Sequence, residues 1–405
     1  MSESMDAIFR EAAEADPVAL TRALISTPSV NPDLEEGGAG EAEAAQWCAR
    51  WLESWGFEVA VSEPAPGRPN VLARLGSGGP RLLLNGHLDT VGVQGMTLDP
   101  FDPRIEDGRL YGRGACDMKS GLGALLAAAA RFAAAPPPEG ELIIAVTSDE
   151  EYGSIGVQAL LDAGLTADMA VVCEPTSLAV TPANKGFVWF HLRFRGRAAH
   201  GSRPEQGVDA IRHAGRFLAG LDLLEEEIAR TTAHPLLGRG SLHAGTISGG
   251  TAGSVYPAEC RLLLERRTLP GEEHGALEAG VRRALDEVGR GVPDWNPELE
   301  RGLVGPAAEL DASHPLVTAL RSAAEAEGEK GRVEGMTAWV ESSLFARAGI
   351  PAVCFGPGSL DQAHTADEWV PVEEVEAAAR ILHRFVGDVL GTGDEVPGAG
   401  EEDRK

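Results

Sequence analysis

Cysteine and long apolar runs are scarce in this chain, and each scarcity excludes a class of protein. The 405 residues include five cysteines and no Cys-x-x-Cys pair, so a disulfide framework is not expected. A reducing compartment is the better expectation, which makes a cytoplasmic location the first hypothesis. The most apolar stretch, residues 122–135, contains Arg131 and is too short to span a bilayer. The N-terminal residues show no basic region before an apolar core, so we expect neither export nor a membrane partner.

Positive charge is also in deficit. The chain carries 62 acidic and 35 basic residues, which gives a formal net charge of -27. Nucleic acid is therefore not expected as a partner, because its phosphates call for patches of Lys and Arg. A hydrophobic fraction of 43% nevertheless describes a folded globular protein, and the length of the chain predicts two domains.

A Gly-x-Ser-x-Gly sequence is also absent, which disfavours a serine nucleophile and an acyl-enzyme route. What the chain contains instead is His and acidic residues placed directly after apolar, strand-like runs. They are His87 and Asp89 after residues 81–85, Glu150 and Glu151 after residues 142–147, and Glu174 after residues 169–173. Because ligands in α/β sheets bind at the carboxyl ends of strands, we expect these side chains to lie close together.

Two more motifs complete a set of residues suited to metal binding. Asp117 lies between a Gly-Arg-Gly turn and an Ala-rich helix, where one carboxylate can bridge two ions, and His364 lies far along the chain in Gln-Ala-His-Thr. Two His and three carboxylates fit a pair of divalent ions, zinc or a similar metal. One carboxylate is left to handle protons. We assign Glu150 to that role and Glu151 to metal binding.

Asp89, two residues after His87, predicts a supporting contact. Near the end of a pleated strand, residues two apart face the same side. We therefore expect His87 to bind metal while the Asp89 side chain accepts the hydrogen bond of the other ring nitrogen and fixes the tautomer. If this pair is taken alone, a purely structural histidine is the alternative.

Between Glu174 and His364, residues from about 185 to 293 no longer show strands followed by candidate ligands. Their apolar spacing predicts strands and helices in the order β-α-β-β-α, similar to a small ferredoxin-like insertion. We therefore expect a discontinuous catalytic domain with a second domain inserted into it. The predicted division is residues 1–184 for the first part of the catalytic domain, 185–294 for the inserted domain, 295–390 for the second part, and 391–405 for a flexible tail rich in Gly and charge.

The five motifs, in this order, resemble the zinc-dependent amidohydrolase and metallopeptidase family of acetylornithine deacetylase, succinyl-diaminopimelate desuccinylase, carboxypeptidase G and the aminoacylases. The resemblance covers nearly the whole chain. It implies an α/β catalytic domain with a mixed, mostly parallel sheet, and a ferredoxin-like α+β lid through which two chains form a homodimer. It also implies two zinc or cobalt ions bridged by Asp117, one held by His87 and Glu174 and the other by Glu151 and His364.

Two residues of the predicted lid gain a role from the same resemblance. His200, in His-Gly-Ser-Arg-Pro, resembles the family histidine that reaches the partner subunit's active site and helps to hold the oxyanion; local packing is the alternative. Arg267 resembles the lid arginine that pairs with a substrate carboxylate, and a plain surface position is the alternative. Ser254 and Ala338 depart from the Asn and Asp often found at these places in the family, which leaves the exact substrate open.

The sequence thus predicts a metallohydrolase that cleaves the amide bond of an N-acyl amino acid or a short peptide with a metal-activated water. An acetylornithine-deacetylase-like enzyme is the first expectation. Succinyl-diaminopimelate desuccinylase, aminoacylase, and dipeptidase or carboxypeptidase activities are the alternatives within the same chemistry. A metal-stabilised binding protein without catalysis is a more distant alternative, and the spare carboxylate of Glu150 argues against it.

Overall fold

Two units of unequal size make up the chain. The structure, a computed structural model, describes residues 3–136 and 139–391, with side chains described from residue 8 onward. The larger unit comprises Met1–Pro182, Leu310–Glu334 and Val340–Lys405, and the smaller unit comprises Ala183–Glu309 and Gly335–Trp339. Nearly all of the predicted flexible tail, residues 392–405, lies outside the described residues. Within the described residues, no helix combines the length and the apolar character that a membrane crossing needs.

Helices and strands alternate along much of the chain. The helices are α1 Glu3–Ala13, α2 Pro17–Ile25, α3 Ala42–Ser54, α4 Ser120–Ala133, α5 Ile155–Asp162, α6 Ala210–Ala219, α7 Asp222–Arg230, α8 His274–Gly289, α9 Pro315–Ala326, α10 Ser342–Arg347 and α11 Val372–Leu390. The strands are β1 Glu58–Ala65, β2 Arg68–Ser77, β3 Arg81–His87, β4 Ile105–Glu106, β5 Arg109–Tyr111, β6 Gly140–Thr147, β7 Met169–Val172, β8 Val180–Asn184, β9 Gly186–Arg195, β10 Ser241–Gly249, β11 Glu259–Thr268, β12 Pro297–Gly305, β13 Ala308–Glu309, β14 Val333–Met336, β15 Ala352–Cys354 and β16 Trp369–Pro371. A short π-helical turn, Ala115–Lys119, leads into α4.

The larger unit is built around a mixed sheet in the order β1-β2-β6-β3-β7-β15-β8. Its centre is parallel, because β3 pairs with β6 on one side and with β7 on the other, and β15 continues beyond β7 in the same direction. The pairs β1–β2, β2–β6 and β15–β8 are antiparallel. The predicted α/β fold with a mixed sheet is confirmed, and its parallel pairs lie at the centre.

Helices cover the parallel centre of the sheet, which explains its continuous apolar runs. The three leucines at 82–84 of β3 are fully buried. Helices α4 and α11 pack against each other and against β3. The Ala- and Gly-rich sequence of α4 permits a close approach, since a Cβ at Gly121 would lie 1.9 Å from the carbonyl oxygen of Cys173. The first turn of α4 therefore touches the chain directly before Glu174.

Three neighbouring parallel strands end at one edge of this sheet. Strand β3 ends at His87, which lies opposite Thr147, the last residue of β6. Strand β7 ends at Val172 on the other side of β3. Glu150 and Glu174 follow within three residues of these strand ends. The expectation that the motifs after the three strands meet at one edge is therefore confirmed for this part of the chain.

The smaller unit contains β9-α6-α7-β10-β11-α8-β12, and its antiparallel sheet has the strand order β10-β11-β9-β12. This is the split β-α-β arrangement of ferredoxin-like folds, in which the first strand lies between the third and the fourth. Its core consists of aromatic and aliphatic residues from the sheet and from α6 and α8, among them Phe190, Phe194, Phe217 and Leu264.

The boundary of this unit lies after Glu309 and not after residue 294. The reason is β12, Pro297–Gly305, which pairs with β9 and completes the sheet. Strand β12 contains three charged residues and few apolar ones, without regular alternation, and Gly302 interrupts it, so its sequence has a weak strand pattern. The pairing with β9, which comes more than one hundred residues earlier, is visible only in three dimensions.

Candidate metal centre

His87, the last residue of β3, is buried and faces two carboxylates from other parts of the chain. Its Nε2 lies 3.2 Å from Asp117 Oδ1 and 3.9 Å from Glu174 Oε1. Asp117 comes from the turn before α4, and Glu174 follows β7. One imidazole nitrogen thus shares a small space with two carboxylate oxygens, as a metal-binding histidine does.

Asp117 stands between the two predicted histidine ligands. Its Oδ1 lies 3.2 Å from His87 Nε2, and its Oδ2 lies 3.4 Å from His364 Nε2. Each oxygen of the carboxylate therefore faces a different imidazole. This is the arrangement that a carboxylate bridging two ions requires.

Glu368 holds the turn that carries Asp117. Its carboxylate is fully buried and accepts hydrogen bonds from the N–H groups of Gly114, Cys116 and Asp117 at 3.1, 2.8 and 3.0 Å. The guanidinium of Arg113 adds an ion pair of 2.6 Å. Because four donors converge on one carboxylate, the backbone around Asp117 is fixed in place.

Glu151 and His364 form the second side of the centre. His364 Nε2 lies 3.1 Å from Glu151 Oε2. The Glu151 side chain is 6% exposed, whereas the His364 side chain is 48% exposed. One side of the centre is therefore open to solvent at His364, and the other is buried around His87.

The neighbours Glu150 and Glu151 join different groups of side chains. The candidate ligand atoms of His87, Asp117 and Glu151 lie within 4.8 Å of one another, and so do those of His87, Glu150 and Glu174. Glu151 is thus next to Asp117, while Glu150 is next to Glu174. This separation is what two different roles for adjacent acids require.

Asp89 supports the centre in a way that differs from the sequence-based expectation. His87 Nδ1 lies 2.9 Å from the main-chain carbonyl oxygen of Asp89 and 3.6 Å from its carboxylate. The carbonyl is therefore the acceptor that orients the ring and leaves Nε2 facing the carboxylates. The Asp89 carboxylate instead accepts the N–H groups of Glu150 and Glu151, each at 3.1 Å.

The carboxylates crowd negative charge into a buried space. Burial raises the pKa of Glu150 and Glu174 well above the ordinary value, and neighbouring carboxylates raise it further. Burial also raises the pKa of Glu151, with a further contribution from Asp117. Burial alone would raise the pKa of Asp117, but hydrogen bonds to the two imidazoles keep it below its ordinary value. Such a cluster requires a compensating positive charge.

The two imidazoles carry that compensating charge when no metal is bound. Burial alone would lower the pKa of His364, but its contacts with Asp117 and Glu151 raise it to about 11. Likewise, burial opposes protonation of His87, yet the Asp117 and Asp89 carboxylates raise its pKa. In the metal-free protein, protons on these two imidazoles therefore supply the positive charge, and a metal ion must displace those protons to bind.

The donor set fits divalent metal ions. Imidazole nitrogen and carboxylate oxygen are the ligands that zinc and similar ions use in proteins. Among the described residues, Glu174 Oε1 has no hydrogen-bond partner although it is buried. A buried carboxylate oxygen without a donor is costly unless a cation lies beside it.

Residues that the sequence analysis did not single out complete the surroundings. Glu341 is fully buried, its Oε2 accepts a hydrogen bond from Thr147 Oγ1 at 3.1 Å, and burial raises its pKa to about 8. Asn31 donates to Asp89 Oδ2 at 2.8 Å. Its only local signal is a position directly before a proline in the loop after α2.

His200 and Arg267 both belong to the smaller unit. His200 is exposed, and its Nδ1 lies 2.8 Å from Ser202 Oγ. Arg267 donates from Nε to Glu265 Oε1 at 2.6 Å, and its guanidinium lies 5.7 Å from the centre of the Phe187 ring. A third of the Arg267 side chain stays accessible at 33% exposure.

Comparison with known proteins agrees with this geometry. Residues 83–388 match the model of the family described as Peptidase family M20/M25/M40. An acetylornithine deacetylase from Myxococcus xanthus is 34% identical over 322 residues, which cover 78% of this chain and 82% of that protein. The range matched by the family model, residues 83–388, contains every residue of the candidate metal centre named above except Asn31.

Solved structures share the fold. An M20 family metallo-carboxypeptidase from Sulfolobus solfataricus superposes with a TM-score of 0.76 at 18% identity, covering 92% of this chain and 98% of that one. A Bacillus subtilis protein described as a dinuclear metal-binding peptidase of the M20 family gives a TM-score of 0.70 at 18% identity, covering 94% and 99%. The chain therefore belongs to peptidase family M20/M25/M40 and is a metallohydrolase that acts on amide bonds.

Proposed function

We propose that this chain hydrolyses N-acyl amino acids, and that N-acetylornithine or a close analogue is the first candidate substrate. One observation carries the proposal: Glu150 lies in one group with His87 and Glu174, while Glu151 takes the position next to Asp117 and His364 and leaves Glu150 outside the proposed set of five ligands. A spare carboxylate is thus available as a base. The Myxococcus xanthus relative, named as an acetylornithine deacetylase, supports this branch of the family. The five cysteines are unpaired, which supports a reducing, cytoplasmic location.

Two divalent metal ions are the proposed cofactors, zinc first and cobalt second. Asp117 would bridge them, His87 and Glu174 would hold one ion, and Glu151 and His364 would hold the other. The position of each Asp117 oxygen opposite one imidazole supports this division. The dinuclear description of the Bacillus subtilis neighbour supports the number of ions.

The proposed reaction is attack of water on the amide carbonyl. Two divalent ions would polarise that carbonyl and lower the pKa of the attacking water. Glu150 accepts a proton from the water and delivers it to the departing amine nitrogen. The bond from the N–H of Glu150 to Asp89 holds its backbone.

The smaller unit would contribute substrate recognition. We propose that Arg267 binds the substrate carboxylate and that His200 supports the negative charge developing on the carbonyl oxygen. The exposure of His200 and the accessible third of Arg267 support these roles, because both side chains are accessible to a ligand. The contact of Arg267 Nε with Glu265 would hold its guanidinium in one orientation.

Turnover of a substrate panel by the metal-loaded protein tests the proposal. The panel contains N-acetylornithine, N-succinyl-diaminopimelate, several N-acyl amino acids and several dipeptides. We expect release of the free amino acid from at least one N-acyl amino acid. Turnover of dipeptides alone would overturn the deacylase proposal and place the chain with the peptidases of the family.

The same panel, repeated with Arg267→Met, tests substrate recognition. Loss of a charge-assisted contact is expected to raise KM by about 10- to 100-fold for substrates with a free carboxylate. The matched methyl esters should be affected much less, because they offer no carboxylate. His200→Ala is expected to lower kcat instead. Unchanged kinetics in both variants would make them surface residues.

We further propose that two chains form a homodimer through the smaller unit. Strand β10 is an edge strand of its sheet and is largely exposed, and Ile247 on it is 51% exposed. An open strand edge with exposed apolar side chains favours pairing with another chain. Light scattering should therefore give twice the mass of one chain, and Ile247→Lys should lower it. A monomeric wild-type protein would contradict the proposal.

A further inference from the structure

A buried arginine outside the predicted motifs binds three carboxylates at once. Arg68, the first residue of β2, is 5% exposed. Its Nε lies 2.7 Å from Glu41 Oε2, its Nη2 lies 2.8 Å from Asp149 Oδ1, and its Nη1 lies 2.6 Å from Asp33 Oδ2. The planar guanidinium therefore fixes three acids relative to one another.

Asn31 connects this arginine cluster to the metal centre. Its Nδ2 donates to Asp149 Oδ1 at 3.0 Å and to Asp89 Oδ2 at 2.8 Å. Its Oδ1 accepts the N–H of Asp33 at 3.0 Å. Because Asn31 is fully buried, solvent does not compete for these bonds. The amide thus joins two carboxylates that would otherwise repel each other.

The same carboxylates bind the backbone of residues 149–151. The N–H of Asp149 donates to Glu41 Oε1 at 3.2 Å, and the next two N–H groups donate to Asp89 at 3.1 Å each. Asp149 has a φ of 70°, a left-handed conformation that is uncommon for a residue with a side chain. Three consecutive N–H groups therefore end on carboxylates that the arginine or the asparagine binds.

We propose that Arg68 and Asn31 are positioning residues: they fix the backbone of Glu150 and Glu151, and with it the general base and one metal ligand. The part that concerns the base rests on the proposed function. The part that concerns the ligand can be tested without any substrate. A base and a ligand on adjacent residues need separate directions, and a fixed backbone supplies them.

A purely stabilising role is the alternative reading of this cluster. Buried ion clusters often contribute little net stability, because the loss of hydration offsets the attraction between the charges. The contacts of Arg68 and Asn31 lead to the N–H groups of residues 149–151 and not into the apolar core. Their arrangement therefore favours positioning over bulk stabilisation.

The variants Asn31→Ala and Arg68→Lys test the proposal. The lysine keeps the charge, but its ammonium cannot serve three acids as the guanidinium does. The readouts are the metal dissociation constant from chelator competition, the absorption spectrum of the cobalt-loaded protein, and kcat and KM on the substrate found by the panel. We expect metal affinity or kcat to fall by about 10- to 100-fold, with an altered cobalt spectrum and little change in KM.

Arg74→Lys is the matched control. Arg74 lies on the same strand, β2, and makes an ion pair of 3.0 Å with Glu141, which is not part of the metal centre. The Arg74→Lys substitution should leave the metal affinity, the cobalt spectrum and kcat at wild-type values. A comparable loss in this control would mean that any change of charge on β2 disturbs the centre, and it would refute a specific role for Arg68.

Asn31→Asp separates positioning from space filling. The substitution keeps the shape of the side chain and its contact with the N–H of Asp33, but it sets a third carboxylate against Asp89 and Asp149. Positioning through donated hydrogen bonds predicts a larger loss of metal affinity for Asn31→Asp than for Asn31→Ala. The reverse order would overturn the proposal for this residue.

The proposal as a whole is also overturned if the variants melt at lower temperature but keep wild-type metal affinity, cobalt spectrum and kcat per folded molecule. That result would leave Arg68 and Asn31 as stabilising residues only. Failure of the proposed function has a different signature, namely a wild-type protein that binds two ions and turns over no substrate. Metal affinity and the cobalt spectrum of the variants would still decide the placement of the ligand.

Discussion

Glu150→Gln is expected to lower kcat by a factor of about 10² to 10⁴ while both metal ions remain bound. Glutamine has nearly the shape of glutamate, but its amide cannot accept the proton of the attacking water. The backbone contact of residue 150 with Asp89 does not involve the side chain and survives the substitution. Measurement of kcat, KM and metal content on the same preparation checks the prediction.

Metal content is the decisive control, because Glu150 lies in one cluster with His87 and Glu174. A ligand lost at this position would remove metal and activity together, whereas a base lost at this position removes activity alone. Loss of one ion in Glu150→Gln would therefore reassign Glu150 as a ligand. Retention of wild-type kcat would exclude it as the base and leave Glu341, also buried near the centre, as the next carboxylate to test.

Glu141→Gln is the matched substitution. Glu141 lies near the start of β6, the strand that leads to Glu150, and pairs with Arg74 at 3.0 Å. The Glu141→Gln substitution removes one carboxylate from β6 and changes no residue of the metal centre. We expect an unchanged kcat, so that a loss in Glu150→Gln reports the site and not the sheet.

That the proposed ligands lie close together could be predicted from the sequence, because it depends on local patterns. An apolar run followed by an acid or a histidine marks the end of a buried strand, and parallel strands bring such ends to one edge. Glu151 and Glu174 both lie close to His87 for that reason. The α/β fold and the β-α-β-β-α part of the smaller unit also follow from local apolar patterns, whereas β12 does not.

The supporting residues could not be predicted, because their partners are far away in the chain. Arg68 reaches Asp149 across 81 residues, and Thr147 reaches Glu341 across 194. No local spacing marks Arg68, at the start of β2, or Glu341, directly before α10. Asp89 shows the limit within a motif: its spacing from His87 is informative, but only the geometry shows that the ring meets its carbonyl oxygen.

Metal removal is expected to abolish activity and to reduce stability more as the pH rises. Burial raises the pKa of Glu150 and Glu174 above 4.5 in the metal-free protein. A group with a raised pKa stabilises the fold below its unfolded value, and that contribution is lost as the pH rises through the folded value. The pKa of His364 is raised from 6.5 to about 11, so its contribution to stability is also lost as the pH rises. The pKa of Asp117 is lowered, so the contribution of this group to stability is lost only when the pH falls.

Metal ions remove this dependence because they replace the protons that balance the acid cluster. For each proton displaced, the apparent metal affinity should rise about tenfold per pH unit. The melting temperatures of metal-loaded and chelator-treated protein should therefore move apart between about pH 5.5 and pH 8.5. Glu174→Gln removes one buried negative charge, so its metal-free form should melt higher than metal-free wild type at the upper pH. If the difference in melting temperature between metal-loaded and chelator-treated protein stays constant or shrinks as the pH rises, cations do not balance these carboxylates. The electrostatic reason for a metal centre here would then be removed.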